Sequence, residues 1–210
     1  MQLGLVFRSW GGRREGSGRK RGGNVQHRKR ERQDRHVPLM VTFRARGVKG
    51  LRKIFPVLKE AIQAGNDRFG ARVVHFSVQD DHFHLIVECQ DAKGLSRAMK
   101  GLQIRLARAI NKALGRKGRV FTDRWHGERL DSVAQARNAI RYVLQNGIKH
   151  GHVRPGRIDT CSSGQWYKWS DLKLNPTEPN PCAPARSYML NKLCKPISIH
   201  ERPKPRKSAA

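Results

Sequence analysis

Two apolar runs, Val73-Val74-His75-Phe76-Ser77-Val78 and Phe83-His84-Leu85-Ile86-Val87, flank a polar turn at Gln79-Asp80-Asp81. They read as two strands of a hairpin over residues 72–78 and 82–88. His82-Phe83-His84 opens the second strand. Residues two apart on a strand share a face, so both imidazoles project together while Phe83, Leu85 and Val87 project to the other side. Paired imidazoles on a rigid scaffold supply two legs of a metal site. In a chain this basic, such a site points to chemistry on a phosphate.

The basic excess is large: 44 Lys and Arg against 16 Asp and Glu, a net charge of +28 over 210 residues. It implies a polyanionic partner, nucleic acid before a membrane surface. No apolar run is long enough to span a bilayer, and none near the N-terminus reads as a signal region. Cys89, Cys161, Cys182 and Cys194 form no C-x-x-C pair. They therefore read as free thiols in a reducing cytoplasm rather than as a zinc site. The expected location is cytoplasmic and nucleoid-associated.

Core-forming residues concentrate between positions 36 and 151, the size of one domain. Residues 1–35, rich in Gly and Arg, read as a disordered basic arm that orders on phosphates. Residues 37–46 read as a first strand. Leu51, Ile54, Phe55, Leu58 and Ile62 mark a helix that Pro56 limits, kinks or restarts. Leu95, Met99, Leu102, Leu106, Ile110 and Leu114 mark a second helix, stopped near Gly115, whose other face carries Arg97, Lys100, Arg105, Arg108 and Lys112. A further strand and turn are expected within 118–130, through Val120-Phe121 and Arg124-Trp125, and a third helix over 133–150. The order β-α-β-β-α-β, followed by a helix, predicts an α+β, ferredoxin-like split βαβ antiparallel sheet with packed helices. Residues 152–210 read as an irregular C-terminal extension, with aromatics Trp166, Tyr167 and Trp169, several prolines and a basic tail.

At about 100° per residue, Ala136, Ile140, Val143 and Leu144 of the third helix share a core face. Tyr142 falls nearly opposite, with Asn138, Gln145, Asn146 and Lys149 around it. This is either a partly exposed tyrosine of an amphipathic helix or a phenol aimed at a substrate. Asn146, one turn on, shares the face of Tyr142 and can offer an amide oxygen to the same metal.

His82-Phe83-His84 on a strand, followed by Tyr142 on a downstream helix, resembles the HUH single-tyrosine transposases, and most closely the REP-associated tyrosine transposases. Other segments match in order: Val73 to Val78; His82 to Glu88; Gly118-Arg119-Val120-Phe121-Thr122-Asp123-Arg124-Trp125-His126; and Arg141-Tyr142-Val143-Leu144-Gln145-Asn146. So do the Gly-Arg-Lys arm and the stretch from Ser162-Ser163 to Trp166. Two positions depart from the pattern. Members more often carry Asn just before the first histidine, where this chain has Asp80 and Asp81; these are candidates for a further ligand or for a partner to an imidazole. Members often have Asn-Pro where this chain has Asn146-Gly147, which leaves Gln145 as the substitute for Asn146.

The resemblance implies an enzyme that cleaves and rejoins single-stranded DNA at palindromic repeat hairpins through a 5′-phosphotyrosine. Tyr142 would be the nucleophile. His82 and His84, with Asn146 or Gln145, would hold a divalent ion, Mg²⁺ or Mn²⁺, with imidazoles favouring Mn²⁺. Arg13, Arg14, Arg19, Lys20 and Arg21 of the arm, Arg97, Lys100, Arg105 and Arg108 of the second helix, and Lys149 would contact backbone phosphates, which position DNA without reading its sequence. Trp125, Trp166 and Trp169 are candidates for base stacking or, individually, for core packing. The partner would be single-stranded or hairpin DNA, bound by a monomer or a homodimer. The alternatives are a non-catalytic (domesticated) DNA- or RNA-binding protein on the same fold and a metal-dependent nuclease that uses water.

Overall fold

Strands β1 (Leu39–Arg44), β2 (Ala71–Val78), β3 (His82–Cys89) and β4 (His126–Arg129) form an antiparallel sheet in the order β2-β3-β1-β4. This computed structural model describes residues 37–202. The N-terminal arm, with Arg13, Arg14, Arg19, Lys20 and Arg21, lies outside the described residues. The strand order is the one expected of a split βαβ unit, with β3 inserted between β1 and β2.

Strand alternation sorts the sheet into two faces. Val41, Phe43, Phe83, Leu85 and Val87 form one core with helices α1 (Phe55–Gly65) and α2 (Ala92–Ala113). Met40 and Ile86, with Val74, face the other side and pack against α3 (Val133–Leu144). In β2 the register slips between Val73 and His75. That bulge lets Val73 and Phe76, three apart, reach the same core. Each fully buried Leu or Phe stabilises the fold by roughly 2 kcal/mol.

Pro56 starts α1 after a 3-10 turn at Leu51–Ile54. It occupies the first turn, where its missing N–H costs no bond. Asp91 caps α2 by accepting from the Gly94 N–H at 2.8 Å, and Leu95, Met99, Leu102, Leu106 and Ile110 bury the expected face. Ser132 and Gln135 form a capping box that begins α3.

Two expectations are corrected. The fourth strand is not at Val120-Phe121 or Arg124-Trp125. Phe121 makes only an isolated bridge to Ala45, Val120 and Trp125 are core residues of a loop, and the strand is His126–Arg129. The third helix does not run to 150. α3 ends at Leu144, and a separate turn, α4 (Asn146–Lys149), follows Gln145.

Just past the break, Gly147 lies against Asp159. A Cβ on Gly147 would lie 2.2 Å from Asp159 Oδ2. Asp159 is itself fixed, accepting from both Arg52 guanidinium nitrogens at 2.7 and 3.0 Å and from the Cys161 N–H at 2.9 Å. Gly147→Ala should therefore destabilise the protein by about 2 kcal/mol through overpacking. Urea unfolding should show a lower midpoint at unchanged slope.

The described residues beyond 151 hold two short helical turns, Ser163–Trp166 and Met189–Leu193, among irregular stretches, and they belong to both cores. The Val78 N–H donates to Cys161 O (2.8 Å) and the Ala183 N–H to Val73 O (3.0 Å). The Glu88 carboxylate accepts from the Arg186 and Ser187 N–H groups at 2.8 and 2.9 Å. Ile197 and Ile199 are buried with Ile140 and Leu144. Glu201 pairs with Arg137 at 3.1 Å and with buried Arg141. The side of α3 expected to be open and polar is thus partly covered by the chain's own residues 197–201. The four cysteines carry no disulfide. No helix among the described residues is long and apolar enough to cross a membrane.

His75 gives the fold an acid sensitivity. Its ring packs edge-on to Tyr167 at 5.4 Å, and burial pushes its pKa down to about 4. The unfolded chain binds that proton near pH 6.5. The native state therefore loses stability as pH falls from about 6.5 toward 4. His75→Phe should flatten that part of a stability-versus-pH curve measured by chemical denaturation.

Candidate active site

His82 and His84 project from β3 on the face opposite Phe83 and Leu85. Their rings lie 4.8 Å apart and nearly perpendicular, and the residues are only 9 % and 7 % exposed. Each ring is oriented through Nδ1. His82 Nδ1 is 2.5 Å from Asp81 Oδ1, so its N–H donates to the carboxylate and the ring's orientation is fixed. Burial works against the Asp81 charge, but the hydrogen bond to His82 and the positive charge of Arg44 outweigh it and hold the carboxyl below its ordinary range. Asp81 is thus placed as a partner to an imidazole. His84 Nδ1 lies 3.0 Å from Thr42 Oγ1, its neighbour across β1 and β3. With Nδ1 of each ring engaged, Nε2 is the nitrogen left to face away from these partners.

α3 crosses this face and brings Tyr142 to the pair. The Tyr142 and His84 rings are 5.2 Å apart and edge-on. The phenol expected to point away from the core is half-buried against the imidazole face. Lys149, carried back by the break at Gln145, donates from Nζ to Tyr142 Oη at 3.5 Å and sits 5.1 Å from the ring centroid.

The two amides differ. Gln145 donates from Nε2 to Ile199 O at 2.8 Å, which commits it to the C-terminal segment. Asn146 is 1 % exposed, and neither Oδ1 nor Nδ2 has a hydrogen-bond partner. A buried amide left so costs about 1–3 kcal/mol. A cation drawing on Oδ1 would satisfy the acceptor, though not Nδ2; the two imidazoles and the Asn146 carbonyl are the donors that could hold a divalent ion. No group of three or more His, Cys, Asp or Glu suited to a metal occurs among the described residues.

His150 is a neighbour that sequence reasoning left unassigned. Its ring is 5.2 Å from that of His82; burial, then the charges of His82, Lys149 and His152, push its pKa down. His152 faces Asp80 at 3.6 Å. Thr42 was likewise missed, since only strand register reveals it.

Other candidates lie elsewhere. Arg97, Lys100 and Arg108 are exposed and Arg105 half-buried on α2, which covers the opposite face of the sheet from the imidazoles. Trp125 and Trp169 are buried, and the Trp169 and Trp166 indoles donate to Gly164 O and Glu178 O at 2.9 and 2.8 Å. Core packing is the observed role of Trp125 and Trp169, while Trp166 is half-buried at the edge of the core.

No curated protein matches the chain. A solved structure described as "Structure of the REP associates tyrosine transposase bound to a REP hairpin" is similar in fold. It is 16 % identical, with a TM-score of 0.55, covering 78 % of this chain and 100 % of that one. The family model described as "Transposase IS200 like" matches residues 33–146, a span that contains β3, both imidazoles and Tyr142. That match covers more than half of the sequence, and the chain therefore belongs to the IS200-like transposase family.

Proposed function

We propose that this protein is a metal-dependent single-stranded DNA transesterase that cleaves and rejoins DNA at palindromic hairpins, with Tyr142 as nucleophile. The observation that supports it most is the meeting of Tyr142 with His84, 58 positions apart in the sequence, across a sheet face that also carries His82. In the forward step Tyr142 Oη attacks phosphorus. An Oη–P bond forms and the P–O3′ bond breaks. The phenol's proton passes to water, and the departing oxygen takes one up to become a 3′-OH. The product is a 5′-phosphotyrosine, whose bond energy lets a second 3′-OH reverse the step without a nucleotide cofactor.

His82, His84 and Asn146 would hold the divalent ion, Mn²⁺ or Mg²⁺, which when bound would supply charge neutralisation at a non-bridging phosphate oxygen. Asp81 and Thr42 fix the imidazoles in their ligating orientation. Lys149 sets positive charge beside Oη, where charge develops during attack. The basic arm and the α2 cations would contact backbone phosphates away from the reacting one. Hairpin DNA is the expected partner because the similar solved structure is described as bound to one. The Tyr142 ring lies against His84 of the same chain, which supports a monomer as the unit that would form this part of the site, with a homodimer as the alternative.

The test is incubation with labelled single-stranded hairpins, drawn from the palindromic repeats of the source genome, in Mn²⁺. A denaturation-resistant protein–DNA adduct supports the proposal. Cleavage without an adduct indicates a nuclease using water. Binding with neither indicates a non-catalytic, domesticated protein.

A further inference from the structure

We infer that the buried Arg52–Asp159 ion pair is a positioning device for the site: it sets the place of Asn146, and with it Lys149, relative to His82. This rests on the function proposed above, and it concerns two residues outside the reacting groups.

The site is assembled from two halves. The imidazoles belong to the sheet, on β3. Asn146 and Lys149 belong to α4, which follows the break after α3 and spans a single turn. One turn gains little order from its own hydrogen bonds, so its place depends on what it packs against.

The sheet half is gripped from the 3-10 turn at Leu51–Ile54. The Leu51 N–H donates to Asp80 O at 3.1 Å, and Arg52 Nη1 donates to Val78 O at 3.0 Å. Both acceptors lie just ahead of β3, and the Gln79 N–H closes that turn on His82 O at 2.8 Å. The same guanidinium makes the two bonds to Asp159. The Asp159 side chain is 1 % exposed and presses on the backbone of Gly147, so closely that no Cβ fits between them. One chain of contacts thus runs from the turn before His82, through two planar groups, to the residue next to Asn146. A bidentate guanidinium–carboxylate pair has a fixed geometry. For stability alone, a buried ion pair gains little over apolar residues of the same volume. Its location between the two halves gives this one a further role.

The test measures Mn²⁺ affinity by calorimetry without DNA, at a temperature where circular dichroism shows each variant folded. Asp159→Asn keeps the shape of the side chain and loses its charge. Gly147→Ala keeps the ion pair and displaces α4. Each should weaken Mn²⁺ binding about tenfold. In an Asn146→Ala background neither should weaken it further, because the group they position is gone; a loss through charge alone would persist there. Gly94→Ala is the control for stability. Its Cβ would lie 2.2 Å from Phe69 O at the start of α2, a clash of the same size on the other face of the sheet. Its Mn²⁺ affinity should stay within about twofold of wild type. Wild-type affinity in either Asp159→Asn or Gly147→Ala overturns the inference. So does a tenfold loss in Gly94→Ala, which would tie the effect to stability, and so does a further loss in the Asn146→Ala background. Wild-type protein that binds no Mn²⁺ would instead overturn the metal reading on which the inference rests.

Discussion

Tyr142→Phe should eliminate the covalent protein–DNA adduct and lower strand cleavage on the order of 10³-fold or more, while hairpin affinity stays within about twofold. The substitution removes one oxygen and keeps the ring, so the edge-on contact with His84 at 5.2 Å and the packing of α3 persist. A residue that only bound DNA would shift affinity instead. A residue that only stabilised α3 would shift thermal unfolding. Retained cleavage with lost adduct would transfer the nucleophile's role to water, and a retained adduct would move it to another residue.

The second large effect concerns the imidazoles. Titrating wild-type protein with Mn²⁺ to about 100 times its dissociation constant adds about 2.7 kcal/mol to stability. For a domain of this size that raises the melting temperature by about 5–10 °C. His82→Ala with His84→Ala should abolish the shift and the cleavage together. Asn146→Ala should reduce the shift, and in the absence of metal should cost little, because the amide it removes has no partner. Gln145→Ala should leave the shift in place, since Gln145 points to Ile199. A full shift in the double histidine variant would place the ion elsewhere.

The β2–β3 hairpin was legible because strand periodicity is local: alternate residues share a face whatever the rest of the chain does. The same rule put His82 and His84 side by side and Phe83 in the core. The meeting with Tyr142 was not readable from periodicity. It came from a resemblance in ordered segments, because no spacing rule joins a strand to a helix so far along the chain. β4 falls within the expected 118–130 stretch but was misplaced inside it for a physical reason. His126-Gly127-Glu128-Arg129 has no apolar alternation, being a partly exposed edge strand, whereas Val120, Phe121 and Trp125 carry strand-like hydrophobicity but pack from a loop. The end of α3 was overrun because the residues after it continue as a separate helical turn, Asn146–Lys149, whose sequence is helix-compatible. Asp81 was left with two roles, which only the fold could separate.

The packing of residues 197–201 onto α3 also bears on how such chains diverge. Ile197, Ile199 and Glu201 meet Ile140, Leu144, Arg137 and Arg141, so the two stretches must drift in step. A chimera that took its last fifty residues from a cousin but kept its own α3 would inherit mismatched volumes and stranded charge. Compensating changes on both sides are the mark such coupling leaves on a lineage.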